Sequence, residues 1–140
     1  MTIYHLQFIW EFQLFSNFMD KQELQERMTA FAVRIIKMVD ALPASLGAQA
    51  IARQLVRCGT SPSANYRAAC IAKSDKDFLN KLKMVEEELD ETCHWLELVM
   101  RCEMLKSSRV EPLHQESKEL LSIIVKSIVT VRTRLNADKL

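Results

Sequence analysis

Two histidines in this chain each follow a glutamate by three residues, in Glu91-Thr92-Cys93-His94 and Glu111-Pro112-Leu113-His114. On a helix that spacing puts a carboxylate and an imidazole on one face, and di-iron bundle proteins use two such pairs, completed by a Glu from each of two other helices. The completing set is short here, because the stretch between Ala41 and Ser74 holds no Asp or Glu at all. Glu111 and His114 also straddle Pro112 near a helix start, whereas His94 lies well inside a helical segment. Both histidines therefore read as exposed or hydrogen-bonded side chains, with no metal and no cofactor implied. There is no Gly-rich phosphate loop, Ser-His-Asp arrangement or zinc spacing, so no catalytic residue is assigned and the chain reads as non-enzymatic.

The other chemistry in view is electrostatic. The net charge is +1, but it is unevenly laid out: the segment that lacks acids carries Arg53, Arg57, Arg67 and Lys73, and the segment after it is acidic. At 100° per residue the three arginines fall within an arc of about 80° on one side of a helix. One reading pairs them with carboxylates of the neighbouring helix, at well under about 1 kcal/mol per exposed pair. The other makes them a phosphate-binding stripe, weak in one copy and multivalent when repeated around an oligomer. Near-neutral charge overall argues against a strong stand-alone nucleic-acid binder.

The elements that must position these groups are helical. A chain of 140 residues with two Gly and three Pro has little material for hairpins, and its apolar residues recur at steps of three and four. Asp20 with Glu23 reads as a capping box opening a first helix of about 23 residues, ended by Pro43, with Leu24, Met28, Phe31, Ile35, Met38 and Leu42 as its stripe. The second helix runs from near Ser45 to Lys73 with a kink expected at Pro62, and its apolar side is Ala48, Ile51, Leu55, Cys58, Pro62, Tyr66 and Ala69. Asn65, a polar residue among small ones, reads as a buried hydrogen bond that fixes register. The third helix, capped by Asp75, runs to between Met104 and Lys106 on a stripe of Phe78, Leu82, Val85, Leu89, Leu96 and Val99. A loop over 107–111 then leads to Pro112 as a first-turn residue of the fourth. That last helix has a stripe from Leu113 to Leu135 and further apolar residues outside it, Ile123, Val125 and Val129, which suggests a second interface and a homo-oligomer. The expected fold is all-α, an antiparallel up-down-up-down four-helix bundle over residues 19–140.

Residues 1–18 differ from the rest. They hold Tyr4, Phe8, Trp10, Phe12, Phe15 and Phe18, no Lys or Arg, and one acid, Glu11. This is neither a signal peptide, which needs a basic start and a clean apolar run, nor a membrane span of roughly 20 apolar residues. Two readings stay open: an amphipathic segment that docks on a partner or a membrane surface, the latter weakened by the lack of Lys and Arg, or an extension that is poorly ordered or lies upstream of a start at Met19. Four cysteines without pairing spacing read as small core hydrophobes in a reducing cytoplasm.

Gln54-Leu55-Val56-Arg57, Thr60-Ser61, Ala64-Asn65-Tyr66, Lys73-Ser74 with Asp77-Phe78, and Glu88 through Glu91-Thr92 to Trp95-Leu96 resemble the bacterial four helix bundle protein family, often encoded by intervening sequences in 23S ribosomal RNA genes. The same run is similar to the accessory variability determinant proteins that work beside a reverse transcriptase in diversity-generating retroelements. His94 departs from the aromatic residue usual before the Trp. The resemblance implies a cytoplasmic bundle assembled as a homopentamer, with no known catalytic residues and, in the retroelement branch, nucleic-acid binding. Pro62, Asn65 and Trp95 then stand as structural residues and Arg53, Arg57 and Arg67 as candidate contacts to RNA or DNA. The competing reading is a protein-protein interaction module with no nucleic-acid role.

Overall fold

The structure is a computed structural model that describes residues 20–139; the aromatic N-terminal segment lies outside the described residues. Four helices follow one another, α1 (Lys21–Val39), α2 (Leu46–Cys70), α3 (Asp75–Arg101) and α4 (Ser107–Ala137), with no strand among the described residues. Each packs along its neighbour in the chain, and α1 meets α4 more sparingly to close the antiparallel bundle.

Local chemistry sets the ends. Asp20 accepts from the Glu23 amide at 2.8 Å and Glu23 from the Asp20 amide at 3.1 Å, the reciprocal pair that satisfies orphan amides of α1. The helix closes at Val39, short of Leu42, because the Ala41 and Leu42 amides tighten onto Met38 and Val39, one residue closer than the α pattern. Ser45 caps α2, and Ser74, not Asp75, caps α3 by accepting from the Asp77 amide at 3.1 Å. At the other end of α3 the Met104 amide reaches the Val99 carbonyl and Glu103 takes a left-handed φ of 53°, a closure usually given to glycine. α4 begins at Ser107, so the expected 107–111 loop is helix and Pro112 is its sixth residue. The tolerance has a simple source: Pro112 deprives only the Ser108 carbonyl of a partner, and Ser108 is exposed to water. α2 likewise runs on as one helix through buried Pro62. Thr60 and Ser61 turn their hydroxyls to the Val56 and Arg57 carbonyls, at 2.5 Å each, and not to the carbonyl of Cys58 that the proline frees.

The expected stripes form the core. Leu24, Met28, Phe31, Ile35 and Met38 of α1 meet Ile51, Leu55, Tyr66 and Ala69 of α2, with Leu82, Val85, Leu89 and Leu96 of α3 and Leu120, Ile124 and Ile128 of α4. Each fully buried aliphatic side chain contributes about 1.5–3 kcal/mol relative to exposure. At the α1–α2 crossing Gly59 lets the backbones close in: a Cβ added there would come within 2.8 Å of Ile35 Cγ2. Tyr66 is fully buried, and its hydroxyl has no hydrogen-bond partner among the described residues.

Candidate nucleic-acid interface

The three arginines of α2 are in two different situations. Arg57 is held by α3: its guanidinium donates to Glu88 Oε2 at 3.0 Å and to Glu91 Oε1, and to Gln54 Oε1 on its own helix at 3.0 Å. Arg53 and Arg67 are exposed and form no salt bridge among the described residues. The arc of about 80° seen in the sequence is therefore narrowed to about 40° between Arg53 and Arg67, because Arg57 at its edge is neutralised across the α2–α3 seam. Two guanidinium groups remain on a helix with no carboxylate of its own.

Glu91 explains why the first Glu-x-x-His pair is not a ligand pair. Its Oε1 also accepts from Trp95 Nε1 at 3.1 Å, so the carboxylate joins Arg57 to Trp95 and faces α2. His94 is on the outer side, 5.1 Å from the Trp95 ring between centroids. It shares an open groove of about 400 Å³ between α3 and α4 with His114, Asp90, Cys93, Glu97 and Lys118. The fold thus brings the two histidines to one groove and leaves both of their paired glutamates out of it. Burial and then the Lys118 charge hold His114 below the ordinary imidazole pKa. Among the described residues no three His, Cys, Asp or Glu side chains are placed to hold a metal ion.

Of the residues read as structural, Pro62 is buried and Trp95 half-buried. Asn65 corrects the expectation of a buried hydrogen bond: it is only half-buried, so water reaches it, and no side-chain hydrogen bond of Asn65 occurs among the described residues. Cys58 is buried with its thiol pushed up to about 11, chiefly by burial, and all four cysteines are free. Cys93 Sγ lies 3.0 Å from Ser117 Oγ at the α3–α4 contact, and burial raises its thiol too. Both thiols are poor nucleophiles at neutral pH.

Sequence reasoning missed the link that closes the bundle. Arg27 of α1 grips Glu116 of α4 with two parallel bonds, Nε to Oε1 at 2.6 Å and Nη2 to Oε2 at 2.8 Å, and reaches Glu119 Oε2 at 2.6 Å. The only hint in the chain is a pair of acids three residues apart on one face of the fourth helix.

The described residues form an all-helical bundle in which Arg53 and Arg67 face solvent on a helix without carboxylates, and this defines a small helical-bundle protein. The chain belongs to the 23S rRNA-intervening sequence protein family, whose model matches residues 20–126. Among solved structures it is similar to a protein of unknown function from the S23 ribosomal protein family of Bacteroides thetaiotaomicron, with a TM-score of 0.70 and 33% identity over 75% of this chain and 97% of that one. None of the curated proteins matches it. No helix of the described residues is long and apolar enough to cross a membrane.

Proposed function

We propose that this protein is a non-enzymatic, self-associating scaffold or accessory of the cytoplasm that holds RNA or DNA through the open basic side of α2. The observation that carries the reading is the pair Arg53 and Arg67, exposed and without a salt bridge among the described residues on a helix that has no acid to cancel them. Family membership is in keeping with it, since the matched family takes its name from an RNA context. Two arginines in one copy are a weak phosphate contact. Several copies are a strong one, because linked sites bind with an effective concentration that a single site lacks. Assembly, as the pentamer that the family resemblance implies, would use apolar side chains left in water. Val33 and Ile36 of α1 and Val56 of α2 are 45%, 45% and 40% exposed and flank the Ile35–Gly59 crossing.

The experiment is binding of the protein to a structured RNA across a salt series, with Arg53→Ala/Arg67→Ala beside Arg57→Ala. The double variant should lose affinity without sequence preference, and the slope of log affinity on log salt should fall by about 1–2 for each copy in contact with the RNA. Arg57→Ala should leave the slope close to that of the parent. An unchanged slope in the double variant would give the protein to the second reading, a protein-protein module, which Arg57 favours by serving the α2–α3 seam. A monomer mass by light scattering at micromolar concentration would remove the self-associating part.

A further inference from the structure

One end of the bundle gathers cations from three helices. Arg134 near the end of α4 lies 3.7 Å from Asp75, the first residue of α3, and a short joint leads from Cys70 at the end of α2 to the Ser74 cap of α3. The last turns of α2 and α4 and the first turn of α3 therefore lie together. They bring Arg67 from the last turn of α2, Lys73 from the joint, Lys76 from the first turn of α3 and Arg132 from the last two turns of α4. All four are exposed, and none forms a salt bridge among the described residues.

The acids at this end are engaged elsewhere. Asp75 pairs with Arg134, and Asp77 accepts from Lys81 at 2.6 Å and from the Lys73 amide at 3.3 Å. Asp20 and Glu23 cap each other's amides, and exposed Asp138 stands next to Lys139. At the opposite end of the bundle Lys37, Lys106 and Arg109 are matched by Asp40, Glu103 and Glu111. The excess of unmatched positive charge is thus a property of one end.

Helix electrostatics account for part of this arrangement. A cation near the last turn of a helix is favoured by its carbonyl end, which covers Arg67, Lys73 and Arg132. Lys76 is in the opposite position, beside the unpaired amides in the first turn of α3, where a positive charge is disfavoured. The fold's own electrostatics therefore do not select Lys76, whereas a partner of opposite charge does.

We propose, resting on the reading of α2 as a nucleic-acid contact, that Lys73, Lys76 and Arg132 carry that contact around this end of the bundle, with Arg67 common to both. The partner is the phosphate backbone of a folded RNA. Arg53 and Arg67 alone are a line of two charges about 21 Å apart at 1.5 Å per residue, and the end adds three more charges supplied by the α2–α3 joint, α3 and α4. Contacts of this kind fix the position of the RNA and read no sequence.

The test is binding of the full chain to a structured RNA across a salt series. A triple variant, Lys73→Gln/Lys76→Gln/Arg132→Gln, is set beside a control that removes the same charge from the other end, Lys37→Gln/Lys106→Gln/Arg109→Gln. Both sets are exposed, so helical content and particle mass should hold. The slope of log affinity on log salt should fall by about 2–3 for each copy in contact in the first protein and stay near the parent in the control. Lys73→Arg/Lys76→Arg, which keeps the charge, should bind with the parent slope. Equal losses in the triple variant and the control overturn the proposal, because net charge alone would explain them. A parent slope in the triple variant, with a reduced one in Arg53→Ala/Arg67→Ala, overturns it and leaves the α2 contact standing. A parent that binds without salt dependence removes both. If the triple variant keeps the RNA slope but loses binding to phosphatidylserine vesicles, the patch belongs to a lipid surface and the proposal falls.

Discussion

Ile35 and Gly59 meet where there is no room for a methyl group. A Cβ built on Gly59 would stand 2.8 Å from Ile35 Cγ2 and 3.0 Å from Cγ1, both close to a stiff β-branched core side chain that is itself fully buried. Gly59→Ala would gain up to about 1 kcal/mol of helix propensity and lose about 1–3 kcal/mol to overpacking. The expected outcome is a net loss of stability of about 1–2 kcal/mol in urea unfolding. Adding Ile35→Ala should make the alanine at 59 nearly free of cost, a non-additivity that a double-mutant cycle reads directly.

Tyr66 should accept a change to Phe without loss. Its hydroxyl is buried beside the Cys70 thiol without a hydrogen bond of ordinary geometry, and burial first, then Cys70, raises its pKa. Removing an unsatisfied buried hydroxyl without changing the ring should leave stability equal or raise it by about 1 kcal/mol. Calorimetry that found Tyr66→Phe clearly destabilising would mean that the hydroxyl has a partner in solution.

Glu103 ends α3 in the left-handed region, which costs a residue with a side chain about 1–2 kcal/mol relative to glycine. Glu103→Gly should therefore stabilise the fold by about 1 kcal/mol, even though no side-chain contact is added. The midpoint of thermal unfolding is the measurement, and a fall in that midpoint would contradict the assignment of the turn.

His114 predicts the direction of one pH effect. Burial first, and then Lys118, lower its pKa in the folded state, with Glu97 and Glu111 pulling the other way. In the window below the ordinary imidazole value the unfolded chain then binds more protons than the folded one, so stability rises with pH there and is lost as pH falls toward the depressed value. His114→Gln should flatten that part of the profile of unfolding free energy against pH. A parent profile with no slope between pH 5 and about 7 that owes anything to position 114 would count against it.

Arg27 should matter more than its surface position suggests. Its side chain is 27% exposed and that of Glu116 only 16%, and the two-bond geometry fixes both. Arg27→Ala is expected to cost about 1–2 kcal/mol, between an exposed pair and a fully buried one. The same change at Arg101, whose pair with Glu97 is exposed and within one helix, should cost no more than about 0.5 kcal/mol.

The core was largely legible because helix periodicity is local. All seven residues assigned to the inner side of the second helix, from Ala48 to Ala69, are buried, and small side chains at three of those positions explain the close approach of its neighbours. The start of α4 was not legible, because Lys106 provides no side-chain cap and Pro112 imitates a helix start five residues too late. Pairing with the neighbouring helix was one of the two readings of the arginines, but that Arg57 alone of the three would take it was not legible. Its position in the arc follows from its own helix, but its pairing with Glu88 and Glu91 depends on how α3 is rotated against α2, and one-dimensional spacing does not carry that rotation.

The sparse contact between α1 and α4 gives the bundle a seam, fastened chiefly by one guanidinium. α1 buries six residues where the other helices bury seven or eight, and it is also the shortest of the four. Its amides should accordingly exchange with solvent as one cooperative unit at a lower free energy than those of α2 to α4, which pack in unbroken succession. Local opening should therefore start along that one line, and Arg27 is its latch.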